Sequence, residues 1–579
     1  MESLSEVKEH LPKFVIDEKA EAAYQPVSTA PPEPKTPAKS LTLDDYKILV
    51  KFPYDPQLVD KVKAVTGRRW DPKNKRWTIP FTSAVEAVEF GEANGFHIAD
   101  DLRALAQGQE KAKTEKLELS NAAASDFQVD GLGGTLYPFQ SAGTEYAVKA
   151  KRALIADEMG LGKTVQALAT VQALGAFPAL VVCPASLKIN WQRETERWLP
   201  GKKVLVISGR ANGFDYGAYD VIVVNYDVLK AHQDSLSAVG FEAVIADESH
   251  FVKNHKAQRS KALTALAKKI DVRLLLTGTP VLNRPAELIN QLKILGRLDE
   301  MGGWLHFVKR YCQGYKGQWG WDISGAANLD ELNEKMRASF FVRRKKMDVL
   351  KELPAKTRAR VVVDITNRAE YNRAERDLIG WLRETNGSVT EGQRKAEQLV
   401  RFGALKQLAA KGKLKAVTEW IETFLESGEK LIVFAHHVDV QKALLDQFPK
   451  AARIFGEDSG DTRQVNVDRF QDDEDCRLMI ASLKAGGVGI TLTAASNVAF
   501  VELGWNPADM EQAEDRAHRI GQTYPVTAWY LLAEETIDEE IERLIEKKRQ
   551  VVGAATDGGQ SVESQDVLDE LVQHMMERR

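Results

Sequence analysis

ALIADEMGLGKT, residues 153–164, sets a short apolar run directly before a glycine-containing loop, and residues 165–174 (VQALATVQAL) continue it with the apolar spacing of a helix. Strand, loop and helix in this order let backbone N–H groups and a helix N-terminus cradle phosphate. Gly160 and Gly162 allow the backbone to approach phosphate oxygens, Lys163 reaches the β and γ phosphates, and the Thr164 hydroxyl can ligate Mg2+. Asp157 stands where the general pattern has glycine, which leaves a structural glycine turn as the alternative while the stretch is read alone.

Two further stretches complete a hydrolytic set. Val244-Ile245-Ala246 delivers Asp247-Glu248-Ser249-His250 at a strand end, where the aspartate can hold Mg2+ and the glutamate can polarise an attacking water. Alone, such an acidic pair reads as a helix cap; downstream of a phosphate loop the hydrolytic role is the better reading. Residues 512–522 read QAEDRAHRIGQ. Taken as a helix, they put Gln512, Arg516 and Arg519 on one face. A guanidinium brought against a γ-phosphate stabilises transition-state charge, worth on the order of 10³-fold in rate or more. The plainer alternative is a solvated charged helix.

The surrounding rhythm indicates the fold class. Apolar bursts at 153–156, 179–183, 221–224, 243–246 and 273–276 alternate with amphipathic segments, and the pattern returns at 430–435, 477–481, 497–502 and 526–531. Short β-rich runs separated by helices imply parallel sheets. The expected class is α/β: two lobes with parallel sheets, helical insertions at the lobe junction, and a small N-terminal α+β module. Its expected parts are a disordered tail (1–40, proline-rich from 22), the module (41–105), a linker or exposed helix (106–130) and a first lobe with the nucleotide site (131–282). Helical insertions with the inter-lobe linker (283–410), a second lobe (411–535) and a C-terminal helical brace or tail (536–579) complete the chain.

Composition narrows the class further. With 579 residues, 44% hydrophobic and 28% charged, the chain should build several cores. No apolar run reaches the ~18 residues a bilayer span needs, and the start lacks the apolar centre of a secretory signal. An intracellular protein without a membrane partner is expected: cytoplasm or nucleoid if bacterial or viral, nucleus if eukaryotic. Cys183, Cys312 and Cys476 lie far apart and suggest neither a zinc site nor a disulfide framework. His436 and His437 read as turn residues rather than metal ligands. The net charge of −4 means that nucleic acid must be held by local basic stretches.

DEMGLGKT at 157–164, DESH at 247–250, LTGTP at 276–280, GGVGITLTAAS at 486–496 and QAEDRAHRIGQ at 512–522 resemble, in order, the helicase motifs of SNF2-type DNA translocases of superfamily 2. The resemblance covers 136–548 and implies two RecA-like lobes that grip duplex DNA and step along it with ATP and Mg2+. It implies that Gln140, in LYPFQ at 136–140, reads adenine. The catalytic set becomes Lys163, Asp247, Glu248, Gln512, Arg516 and Arg519. Gly160, Gly162, Lys163, Thr164 and Gly489 bind nucleotide, and Thr164 and Asp247 hold Mg2+. Pro184, Ser186, Trp191, Thr279 and Thr491 contact DNA, with Thr277-Gly278-Thr279 coupling hydrolysis to it. FVRRKKMDVL at 341–350, running into Leu353-Pro354, resembles the basic segment before the family's inter-lobe linker. The ending HRIGQ at 518–522, where RNA-unwinding relatives carry HRIGRxGR, favours DNA, and no strand-separating pin is visible.

The stretches NRPAEL at 283–288, YC at 311–312, WGWD at 319–322 and NL at 328–329 look like the branch containing annealing helicases that remodel stalled forks. FPYDP at 52–56 and GRRWDPKNKRW at 67–77 resemble the HARP domain, the substrate-recognition module of that branch. Arg68, Arg69, Lys75 and Arg76, interleaved with Trp70 and Trp77, could join phosphate contacts to base stacking at a junction. Alternatively, both tryptophans pack a small core and only the charges face DNA. The implied partners are double-stranded and branched DNA, and single-stranded DNA at junctions; no protein partner can be read. The expected function is an ATP-dependent translocase that remodels or reanneals fork DNA in replication or repair. A remodeller displacing proteins from DNA and a helicase component of phage defence stay open. A scaffold without turnover is disfavoured because every hydrolytic group is present.

Overall fold

The computed structural model describes residues 38–211, 213–278, 285–318, 320–384, 391–483, 490–505, 507–556 and 570–571. The chain divides into two units, Met1–Gln109 and Glu110–Arg579. In the first, strands β1 (Ser40–Asp44), β2 (Lys47–Lys51), β3 (Arg69–Asp71), β4 (Arg76–Pro80) and β5 (His97–Ile98) form a sheet ordered β3-β4-β2-β1-β5. Its pairs are antiparallel except β1 with β5. Asp55 caps the helix Pro56–Val62 by accepting from the N–H groups of Gln57 (2.9 Å) and Leu58 (3.3 Å), with proline in the first turn where no N–H is needed. Ile48, Val50 and Ile79 from the strands meet Leu58, Val62 and Phe90 from the helices in one small core. The stretch read as a linker or exposed helix is helical as far as Asn121, as its alanine, glutamate and lysine content favours.

The second unit holds two parallel sheets. The first lobe orders its strands β14-β6-β11-β10-β7-β9-β8, with β6 (Arg152–Ile155), β7 (Ala179–Cys183), β8 (Val204–Val206), β9 (Val221–Asn225), β10 (Ala243–Ala246), β11 (Val272–Leu276) and β14 (Phe341–Val342). Between β11 and β14 lie helices, among them Gly303–Tyr311 and Leu329–Arg337, and a hairpin of β12 (Tyr315–Gly317) and β13 (Gly320–Asp322). The second lobe is ordered β15-β20-β19-β16-β18-β17, from β15 (Lys356–Val363), β16 (Leu431–Ala435), β17 (Ala452–Ile454), β18 (Leu478–Ser482), β19 (Asn497–Phe500) and β20 (Val526–Ala533).

Both central sheets are apolar on both faces, because parallel strands joined by helical crossovers are covered twice. The alternation is explicit. Leu180, Ile222 and Val244 point into one core and Val181, Val223 and Ile245 into another. In the second lobe, Ile432, Met479 and Val498 face one core while Val433, Ile480 and Ala499 face the other. The α/β expectation with parallel sheets is borne out, and no described helix is long and apolar enough to cross a membrane.

Besides the β12–β13 hairpin, two strands of the main sheets fall where a helical stretch was expected. After the insertion the chain returns to pair Phe341 and Val342 with Leu154 and Ile155 of the first lobe, then crosses to run β15 alongside β20 of the second. A two-residue strand shows no period, and the first half of β15 (KTRA) is an edge strand too polar to stand out. In the second lobe, buried Lys413 donates to the Leu531 carbonyl (2.7 Å) and pairs with buried Asp538. Lys413→Met, which strands the carboxylate, should destabilise this lobe by about 3 kcal/mol. Denaturant unfolding checks this, and adding Asp538→Leu should restore much of the loss.

Candidate active site

The phosphate loop leaves the C-terminal end of β6, where ligands of open parallel sheets bind. Gly160 and Gly162 have φ of 85° and 75°, a left-handed conformation that glycine adopts without strain. Gly162 caps the helix Lys163–Leu174. Lys163 lies along the loop, donating to the Asp157 carbonyl at 2.8 Å. Burial pushes its ammonium down from the ordinary lysine range, while Glu248, Asp157 and Asp247 push it back up. Asp157, the departure from the glycine pattern, has a structural task. Its carboxylate accepts from the Arg344 backbone N–H (2.9 Å) and side chain (3.2 Å) and from Gln166 Nε2 (2.9 Å), tying the loop to the returning segment and the following helix. Gln140 is buried beside the loop, where its Nε2 donates to the Leu161 carbonyl at 3.2 Å and its Oε1 accepts from the Tyr137 N–H at 3.0 Å.

Asp247 and Glu248 follow β10, both buried. Asp247 is fixed on three sides: Oδ2 accepts from Trp191 Nε1 (2.9 Å), Oδ1 from the Glu248 N–H (2.9 Å), and its carbonyl from the Tyr226 hydroxyl (2.7 Å). Burial and then the neighbouring Glu248 raise its carboxyl to about 6. Glu248 sits at φ 48°, a costly angle for a residue with a Cβ. Burial would raise its pKa, but His250, whose Nδ1 lies 3.3 Å from Oε2, with the charges of Lys163 and Arg516, holds it low. Neither acid caps the short turn Ser249–Val252 through its side chain, so the capping alternative does not describe the pair.

The second lobe supplies the opposite wall. The helix expected through 512–519 stops earlier, as Pro507–Glu514, because tight turns replace it: the N–H of Arg516 bonds to the Ala513 carbonyl and that of Ala517 to Glu514. These turns still bring the side chains together. Arg516 and Arg519 both donate to the Ile490 carbonyl, at 3.4 and 3.2 Å, and Gln512 Nε2 donates to Glu248 Oε1 at 3.5 Å across the lobes. Burial pushes Arg516 down to about 10, with Arg519 adding to the effect. A Cβ on Gly160 would stand 2.7 Å from Arg519 Cβ, so the loop and the arginine turn are in contact. The cleft between them, about 680 Å3, is lined by Gln140, Lys163 and Thr164 from one side of the set, by Glu248 beneath, and by Arg516 and Arg519 opposite.

The residues expected on DNA are more scattered. Pro184 is buried at the end of β7, Ser186 is half-buried, and Thr491 lies between the nucleotide cavity and a second cleft of about 290 Å3. Arg193 and Asp468 join the lobes beside that cleft through two contacts of 3.2 Å. Trp191 is corrected: it is fully buried and spends its only donor on Asp247, so it supports the acid instead of meeting DNA. Thr279 and Gly489 lie outside the described residues. His436 and His437 donate their backbone N–H groups to Glu502, at 2.8 and 2.9 Å, as turn residues do. In the N-terminal unit, Trp70 and Trp77 pair across β3 and β4 with rings 5.3 Å apart, Trp77 against the core and Trp70 49% exposed. Arg68, Arg69 and Lys75 are exposed, whereas Arg76 lies 3.7 Å from Asp71. Trp191 and Tyr226 gave no sequence signal for their roles, since a buried aromatic reads as core.

A phosphate loop on one parallel-sheet lobe, faced by an acidic pair below and by buried Arg516 and half-buried Arg519 from a second lobe, defines a two-lobed nucleoside triphosphatase. Comparison places it more narrowly. A family model described as the SNF2-related domain matches residues 105–409, and one described as the helicase conserved C-terminal domain matches 412–521. The chain belongs to the SNF2-related family. It is 36% identical, over 75% of its length, to the DNA annealing helicase and endonuclease ZRANB3 of Homo sapiens, covering 41% of that protein. It is 35% identical, over 87% of its length, to the SWI/SNF-related matrix-associated actin-dependent regulator of chromatin subfamily A-like protein 1 of Xenopus tropicalis, covering 54% of it. The chain thus spans about half the length of these relatives. The solved SWI2/SNF2 ATPase core of Sulfolobus solfataricus in complex with dsDNA is 26% identical, covers 75% of this chain and 96% of that one, and has a TM-score of 0.38.

Trp191→Phe keeps the packing and removes the donor to Asp247. Loss of such a supporting hydrogen bond should lower ATP turnover about tenfold. Duplex DNA affinity, read by fluorescence anisotropy, should stay unchanged; weakened DNA binding with full turnover would restore the DNA-contact reading.

Proposed function

We propose that this chain is a DNA-dependent ATPase that translocates on double-stranded DNA and remodels or reanneals branched DNA; one of its relatives is named a DNA annealing helicase. The observation that carries the reading is the shared nucleotide site. Glu248 of the first lobe meets Gln512 of the second, and Arg519 packs on Gly160 of the phosphate loop. Hydrolysis in a site completed by both lobes is coupled to their relative motion, which is what a motor needs.

In this reading Gln140 stands beside the base, Lys163 and the N-terminus of its helix hold the phosphates, and Glu248 orients and polarises the attacking water. Arg516 and Arg519 stabilise charge on the γ-phosphate as it leaves. Mg2+ suits the donor set, because the Thr164 hydroxyl and the buried Asp247 carboxylate are hard oxygen ligands. When bound, the ion neutralises charge on the phosphate oxygens.

The N-terminal module supports the branched-DNA part. Exposed Trp70, backed by Trp77 and flanked by Arg68 and Arg69, joins a stacking surface to phosphate-binding charge.

Glu248→Gln should reduce turnover by about 10²-fold or more while ATP and DNA binding persist. Undiminished hydrolysis would remove Glu248 from the chemistry. Steady-state ATPase activity should rise with a model fork above linear duplex, single strand or RNA. Combining Arg68→Glu, Arg69→Glu and Trp70→Ala should abolish the fork preference while duplex stimulation remains. Equal stimulation by every duplex would leave the motor and remove the role of the module.

A further inference from the structure

The basic run at 343–346 looks like a DNA-facing patch, yet its described contacts are internal. Arg343 donates to the Ala156 carbonyl at 3.0 Å, and Arg344 is bound to Asp157 and Gln166. Lys346 is 4% exposed and makes contacts in two directions. Its backbone N–H donates to Glu158 Oε2 in the phosphate loop at 2.7 Å, and the Glu158 N–H returns a bond to the Arg344 carbonyl at 3.0 Å. Its ammonium donates to the His518 carbonyl at 2.6 Å and pairs with Asp515 at 2.8 Å. Asp515 and His518 directly precede Arg516 and Arg519. A single residue therefore links the phosphate loop of one lobe, through its backbone N–H, to the turn that carries the arginines of the other, through its ammonium.

We propose that Lys346 is a positioning residue for ATP hydrolysis, holding the 515–519 turn against the phosphate loop so that Arg516 and Arg519 face the γ-phosphate. The packing makes the coupling tight. A Cβ on Gly160 would lie 3.3 Å from Lys346 Cε and 2.7 Å from Arg519 Cβ, so loop, lysine and arginine turn are mutually in contact. Lys346 does not line the cavity, and its influence on nucleotide passes through the turn. A lysine suits the place because a compact ammonium can donate to a carboxylate and a carbonyl together on a flexible stem. Where the turn is no longer held, the phosphate loop, Gln140 and Lys163 still bind ATP, but the arginines lose their alignment. The inference rests on the reading that Arg516 and Arg519 act on ATP.

The test uses the full chain and two readouts: kcat of DNA-stimulated ATP hydrolysis, and the Kd of a fluorescent ATP analogue. Lys346→Met keeps the stem and removes the charge. It should lower kcat by about tenfold to a hundredfold, the cost of a small misplacement, while the analogue Kd moves by no more than about threefold. Asp515→Asn, which keeps the size of the side chain, should show the same split, and the double variant should be no worse than Lys346→Met alone. Turnover of Lys346→Met within about twofold of the unaltered chain overturns the proposal, as does a rise in Kd that accounts for the whole loss. If Lys346→Met fails to fold, Asp515→Asn decides by the same criteria. Arg516→Ala, measured in parallel, separates the two levels. Full turnover there sinks the role of the arginines, whereas loss there with full turnover in Lys346→Met sinks only the positioning role.

Discussion

Burying charge away from water costs several kcal/mol per ion unless a partner is supplied, and the nucleotide site is arranged around that requirement. Glu514, Asp515 and Arg516 are consecutive and all buried. The two acids are paired by cations from other parts of the chain. Arg358 binds Glu514 at 2.9 and 2.7 Å, Lys356 reaches Glu514 and Asp515 at 2.9 and 3.0 Å, and Lys346 holds Asp515 from the far side. The Tyr530 hydroxyl donates to Glu514 as well, at 2.6 Å. With the acids satisfied from outside, Arg516 and Arg519 turn toward the cavity. The path of the chain follows from the same demand: β15 must lie along β20 to deliver Lys356 and Arg358.

The cavity then places opposed charges at short range. Asp247 is pushed toward protonation by burial, Glu248 is held low by His250 and the cations around it, and Lys163 and Arg516 are pushed down from their usual ranges. Polar groups fixed in this way need no reorganisation when a polyanion arrives, which is the general source of electrostatic preorganisation. Trp191 and Tyr226 hold Asp247 in place from beneath.

The small module shows how limited core area shapes a surface. Trp77 is needed to close the edge of its core, and Trp70, opposite it on the same face, can lean on it while staying half exposed. The pairing of β3 with β4 sets Trp77 against the core and leaves Trp70 half exposed.

The local sequence determined what depends on neighbours along the chain. The apolar bursts announced the inner strands of both parallel sheets, since doubly covered strands must be apolar throughout, but not the short edge strands β8 and β17, and DEMGLGKT and DESH announced loops at strand ends. Only the tertiary structure decided what depends on distant partners. It placed β14 and β15 in sheets, because a two-residue strand and a charged edge strand carry no period. It turned Trp191 from a DNA contact into a support for Asp247, replaced the helix after Glu514 with turns, and set Asp157 against Arg344, 187 positions away. Pairing of buried charge and closure of one site by two lobes are long-range interactions, and a residue does not record in its own neighbourhood which distant charge it will meet.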